Sequence, residues 1–221
     1  MDLNTNYSDL IYDLAVANKH VIPKKESDDV YLESAIDAIA DYFDLFAKFQ
    51  AMHCGYSDIY VHSINVARCA IALGKELSDK IRTLAIASLL HDIGKMCISK
   101  DILYKPSKLD EAELRQMNLH PEFGYHIVKG FIFDKDIINI VLCHHVHLDK
   151  SGYPEDMLKY PISLENRIVT ASDMYVALRE KRNYKNGVSH AEAINILRGS
   201  MNAQVDQKIV DLIDSKYKEA K

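Results

Sequence analysis

IRTLAIASLLHDIGK, residues 81–95, runs for ten positions with only Arg82, Thr83 and Ser88 interrupting its apolar character, then delivers His91 and Asp92 side by side before Gly94. A segment apolar on every face is a helix at the centre of a bundle. An ionised carboxylate at the end of such a helix costs several kcal/mol unless a cation or several donors satisfy it. Consecutive helical residues project about 100° apart. His91 and Asp92 therefore span a wider wedge than one tetrahedral site needs, which suits a centre with more than one metal ion.

Outward from this stretch, apolar residues recur at three- and four-residue spacing and strict alternation is rare, so the chain is expected to be all-α. Helices are predicted near 57–74, with Gly74 as a C-terminal stop, and near 80–93. Others follow from an Asp110/Glu113 capping box to about Leu119, through Pro121 in a first helical turn, over 135–147, from Leu164 to Arg182, after a Ser189/Glu192 capping box, and near 205–213. Two further helices, near 7–17 and 29–50, flank a polar hinge at 23–29. The expected division is a short helical segment over 1–50 and a main domain over 51–221.

The formal charge of -5, with both signs mixed along the chain, gives no footprint for duplex nucleic acid or an anionic membrane. The opening MDLNTNYSDL has no basic start or apolar stretch, and the longest apolar run, around Leu84 to Leu90, is too short to span a bilayer, so a cytoplasmic protein is expected. Cys54, Cys69, Cys97 and Cys143 form no CxxC pair and are expected as reduced, mostly core thiols.

Seven of the ten histidines fall between His62 and His147, which makes clustering the first functional signal. CHHVHLDKSGYP, residues 143–154, repeats the adjacent-ligand geometry with His144 and His145, then turns the chain at Gly152 and Pro154. Asp58 and His62 stand one helical turn apart, and His120 and Asp173 are isolated among apolar helix. The donor set is nitrogen and oxygen only, which suits iron, manganese or a catalytic zinc and disfavours thiolate sites. His20, His53, His126 and His190 are read as structural or exposed, and His147 as within reach of the site without being a ligand.

LLHDIGK resembles the signature of the HD superfamily of metal-dependent phosphohydrolases, and HHVHLDKSGYP resembles the HHExxDGxGYP signature of its HD-GYP branch. His120-Pro121, Ile168 to Asp173 and the RNYK stretch at 182–185 follow in the branch's order, so the resemblance covers roughly residues 54–213. It implies an HD-domain helical bundle in which His62, His91, Asp92, His120, His144, His145 and Asp173 bind two divalent ions, with Asp92 bridging them. It further implies Lys95 beside the scissile phosphate, Gly152, Tyr153 and Pro154 in the substrate loop, and Arg182 and Lys185 near the nucleotide, with Arg167 a further contact. A third ion would require Asp58.

The expected activity is hydrolysis of cyclic di-GMP to linear pGpG and on to GMP. The alternatives are another cyclic dinucleotide or nucleotide as substrate, or a non-catalytic HD signalling module, with a homodimer or a signalling protein as partner. Three departures motivate the alternatives. Val146 stands where the family has glutamate, removing an acceptor that would steady a histidine ligand; Lys150 replaces a glycine; and Asp58 is a methylene shorter than the glutamate of three-ion members.

Overall fold

A computed structural model describes residues 21–22, 26–40, 55, 57–132, 134–180 and 186–218. Among them the chain is all-α: α1 (Glu26–Ala40), α2 (Ser57–Leu77), α3 (Ile81–Leu90), a 3-10 turn (Ile93–Cys97), α4 (Lys100–Leu103), α5 (Glu111–Met117), α6 (His120–Val128), α7 (Lys135–Cys143), α8 (Leu164–Arg179), α9 (His190–Arg198) and α10 (Gln207–Tyr217). A second 3-10 turn covers Glu155–Met157, and an isolated antiparallel bridge pairs Val146 with Gly152.

α3 occupies the centre because nothing on it past its first turn is polar enough to need water. Every residue from Leu84 to Leu90 is buried, and α1, α2 and α7 pack around it. α8 lies along α2 on the other side. Leu32, Ala35, Ile36 and Ile39 of α1 belong to the same apolar cluster as Leu89, Val141 and Val169. Each fully buried leucine or isoleucine in that cluster contributes about 1.5–3 kcal/mol relative to exposure.

Helix starts follow the side-chain chemistry. Asp110 and Glu113 form a reciprocal capping box, while Asp134, Ser163 and Ser189 cap α7, α8 and α9 by accepting backbone amides. Several boundaries differ from expectation; α7, expected to reach 147, ends at Cys143. The predicted hinge at 23–29 is helical from Glu26, where Glu26, Asp28 and Asp29 place acidic side chains in a first turn. Gly74 does not stop α2, which continues to Leu77; the missing Cβ instead makes room for Leu84 of α3, whose Cδ1 would lie 2.5 Å from it. α3 ends at Leu90, and the chain tightens into the 3-10 turn, so Asp92 lies between two helical segments rather than inside one. The helix expected over 7–17, and the 41–50 part of the one expected over 29–50, lie outside the described residues.

Gly94 fixes how the site closes. A Cβ there would lie 1.9 Å from the His120 carbonyl oxygen and 2.5 Å from the Gly124 nitrogen. Only glycine lets the 3-10 turn lie directly on the start of α6, which brings His120 to Asp92. Among the described residues no helix is long and apolar enough to cross a membrane.

Candidate metal centre

Three helices end around Asp92, and each uses a histidine to satisfy its own last turn. Helix C-termini leave carbonyls without intrahelical partners. His91 Nδ1 lies 2.7 Å from the Ser88 carbonyl at the end of α3, His120 Nδ1 2.8 Å from Met117 at the end of α5, and His144 Nδ1 2.9 Å from Val141 at the end of α7. A carbonyl can only accept, so each Nδ1 carries the proton and donates it. In the neutral ring each Nε2 then carries the lone pair, the form a metal ligand requires.

The Asp92 carboxylate lies among these rings. Its Oδ1 is 3.2 Å from His120 Nε2 and 3.8 Å from His144 Nε2, while Oδ2 is 3.4 Å from His91 Nε2 and 4.0 Å from His62 Nε2. Two ligand groups result, His62/His91/Asp92 and Asp92/His120/His144/His145, within each of which the donor atoms all lie within 4.8 Å of one another. Asp92 belongs to both, as a carboxylate bridging two ions would.

The residues fit cations on physical grounds. His91 Nε2 and Asp92 Oδ1 are buried without a hydrogen-bond partner, a cost of about 1–3 kcal/mol for a neutral group and more for a charged one. Asp173, buried on α8, places Oδ1 2.9 Å from His62 Nε2. The other face of His62 meets Glu180, whose Oε2 is 2.7 Å from Nδ1.

Burial, aided by the neighbouring His145, His91 and His120, holds His144 well below the usual histidine range, and burial pushes His145 down to about 3. Both are neutral at ordinary pH. Burial would lower His62 too, but the Glu180 and Asp173 carboxylates outweigh it and raise it to about 9. Burial opposes ionisation of Asp92 and Asp173. Lys95 and His91 beside Asp92, and His62 beside Asp173, nevertheless hold both carboxyls well below their usual range.

The Gly152-Tyr153-Pro154 loop folds back on the histidine pair. Tyr153 N donates to the His145 carbonyl at 3.1 Å, and His147 N donates to the Ser151 carbonyl at 3.0 Å. Gly152 has φ 97°, and a Cβ there would lie 1.9 Å from the His145 carbonyl oxygen. The Tyr153 ring lies over His145 with centroids 4.6 Å apart and planes 34° apart. From the opposite side, Asn166 Nδ2 donates to the Cys143 carbonyl at 2.9 Å and Thr170 Oγ1 to the His144 carbonyl at 2.8 Å. With Asp173, these residues form one face of α8.

Lys95 reaches the centre, with Nζ 2.5 Å from Asp92 Oδ2. Asp58 does not: it is exposed and accepts from the Tyr104 hydroxyl at 3.0 Å, outside both ligand groups. Arg167 also points elsewhere, because six helical positions before Asp173 put it on another face of α8. Its Nη1 pairs with Asp206, the cap of α10, at 2.6 Å. Arg182 and Lys185 lie outside the described residues. His147 bonds to the Ser151 hydroxyl, His126 is exposed, and His190 is buried between the Tyr175 hydroxyl and Asp214.

Val146 is buried, and His91, His120 and His144 have backbone carbonyl acceptors that do not depend on position 146. Sequence reasoning missed Asn166, Thr170 and Glu180. The first two were open to it through their i, i+4, i+7 spacing with Asp173. Glu180, within a basic run, carried no signal.

An all-α bundle whose helices and helix ends present His, His-Asp, His, His-His and Asp to one buried point defines a class of metal-centred domain. The profile of the HD domain family matches residues 33–209, and the chain belongs to that family. It is 31% identical over 221 residues to 3'3'-cGAMP-specific phosphodiesterase 3 of Vibrio cholerae, covering 96% of this chain and 46% of that protein. It is 36% identical over 139 residues to cyclic di-GMP phosphodiesterase PA4108 of Pseudomonas aeruginosa, covering 61% of this chain and 34% of that one. Among solved structures, Bd1817, an HDG"Y"P protein from Bdellovibrio bacteriovorus, superposes with a TM-score of 0.64 at 18% identity, covering 96% of this chain and 79% of its own, a likeness of fold. The chain spans 46% and 34% of the length of these two curated relatives.

Proposed function

We propose that this chain is a metal-dependent phosphodiesterase domain that hydrolyses cyclic di-GMP to linear pGpG and onward to GMP, with iron or manganese on either side of Asp92. The observation that carries the proposal is the division of the Asp92 carboxylate between two imidazole sets. His62, His91 and Asp92, with Asp173 adjacent, would hold one ion, and Asp92, His120, His144 and His145 the other. A bound pair of divalent ions supplies an acidified water near neutral pH and neutralises charge gathering on a phosphodiester.

The chain's own groups do the rest. The backbone carbonyls behind His91, His120 and His144 fix the tautomer of each ring before any ligand arrives. Lys95, with its side chain 17% exposed, can turn from Asp92 to donate a charge-assisted hydrogen bond to a phosphoryl oxygen. Tyr153, tilted against His145, forms a wall against which a substrate can rest. Arg182 and Lys185 are proposed as contacts to the nucleotide. The proposed setting is cytoplasmic, with a homodimer or a signalling protein as partner, and residues 1–50 as a helical segment beside the catalytic domain.

Purified anaerobically, the protein should carry about two equivalents of iron or manganese and linearise cyclic di-GMP, and His91→Ala or Asp92→Ala should stop turnover. Undiminished turnover in both variants would refute the site. A second reading, with 3'3'-cGAMP as substrate, is favoured by the length of the match to the Vibrio cholerae relative and by Lys150 in the signature loop. A side-by-side substrate panel decides between them. Tight nucleotide binding without product across several metals would favour a non-catalytic module.

A further inference from the structure

The two halves of the centre are electrostatically unequal. Around His120, His144 and His145 the ligand group holds Asp92, and Asp173 also acts on His145 from α8. Around His62, three carboxylates converge: Asp92 at 4.0 Å and Asp173 at 2.9 Å from Nε2, and Glu180 at 2.7 Å from Nδ1. His62 is also the ring whose Nδ1 is backed by a charged acceptor where His91, His120 and His144 use backbone carbonyls.

Glu180 is built to hold this position. It sits at the C-cap of α8 with its side chain 14% exposed, and both oxygens are engaged: Oε2 with His62 Nδ1 and Oε1 with Asn65 Nδ2, each at 2.7 Å. His62 and Asn65 are three residues apart on α2, so one carboxylate clamps two neighbouring positions of that helix. A charged acceptor makes a hydrogen bond roughly twice as strong as a neutral one, and it raises the basicity of the ring it holds.

We propose that Glu180 is a positioning residue that makes the His62 half of the centre the tighter cation site, so that the two ions load in order, His62 side first. The inference rests on the metal-centre reading above. It concerns a residue that touches no ion, and it assigns Glu180 the orientation of His62 and the negative charge behind it.

The test is a titration of chelator-stripped protein with Mn2+, followed by competition and equilibrium dialysis, and with Co2+, followed by its visible absorption. Wild type should bind two ions in distinguishable steps. Glu180→Ala should weaken the first step by about 10–100-fold, with the second step changed less than about threefold. Glu180→Gln keeps an acceptor for the ring and removes the charge, so its loss should be smaller, and the Co2+ spectrum of the first equivalent should shift in both variants. His120→Ala should weaken the second step and leave the first. Two steps of wild-type affinity in Glu180→Ala, or equal weakening of both steps in both Glu180 variants, would overturn the assignment. Wild-type protein that binds no ion would overturn the centre itself, a failure distinct from one confined to Glu180.

Discussion

The Nε2 atoms of His120 and His144 stand 3.2 Å apart, and in the neutral rings neither carries a proton. Both rings spend their single N–H on a backbone carbonyl, so two lone pairs face each other in a buried site. This arrangement is unfavourable alone and favourable around a cation. Added Mn2+ or Fe2+ at a hundredfold excess over Kd should therefore stabilise the fold by about 2.7 kcal/mol per site. For a chain of this size that corresponds to a rise in Tm of about 5–10 °C per site. Differential scanning calorimetry with and without a chelator checks the shift.

Asp92 is the one ligand common to both halves, so its loss should exceed that of any single histidine. Asp92→Asn should lower turnover by at least about a hundredfold and bind fewer ions than His120→Ala, whose effect is confined to one half. Parallel turnover and metal-content measurements on the two variants provide the comparison.

In the metal-free protein, His62 is raised from 6.5 to about 9 because its two carboxylate neighbours outweigh the cost of burial. A raised histidine contributes stability that is complete below its unfolded value and lost as pH climbs through the folded one. The stability of the metal-free protein should therefore decline across the window from about pH 6.5 to 9. Metal binding requires the neutral ring, so affinity should rise over the same window, with a proton released on uptake. Urea unfolding and metal titration at several pH values, with proton release read in weak buffer, measure both slopes.

The loop that bears the signature sequence should respond in opposite directions at two positions. Gly152→Ala would place a methyl 1.9 Å from the His145 carbonyl oxygen at a φ of 97°, and should cost at least about 1–3 kcal/mol while weakening the His145 half of the centre. Lys150, by contrast, already occupies a left-handed conformation, with φ 65°. Lys150→Gly should relieve strain and raise stability by about 1 kcal/mol, less the loss of its bond to the Tyr160 carbonyl. Chemical denaturation of the two variants should give shifts of opposite sign.

Much of this centre was legible because its chemistry is local in sequence. His91-Asp92 and His144-His145 each follow an apolar helix that can end only where polar groups are buried, and the turn at Gly152 and Pro154 announces a chain reversal onto the second pair. What stayed hidden depends on distances between helices. Gly74 resembled a stop signal, yet it serves the close approach of Leu84 from α3. Asp58 has the right helical spacing from His62, but the Tyr104 hydroxyl, brought in by the segment after α4, takes its carboxylate. Arg167 is expected at the nucleotide, while Asp206, 39 residues downstream, holds it. Glu180 lies 118 residues from His62, and only the packing of α8 on α2 shows that they meet.

The most direct test is an anomalous difference map from a crystal of the Mn2+-loaded protein. Two peaks about 3.5–4 Å apart should appear, one bounded by His62 and His91 and the other by His120, His144 and His145, each within bonding distance of a different Asp92 oxygen. A map with a single peak that Asp92 does not touch, or with no peak among these rings, would contradict the shared-carboxylate centre.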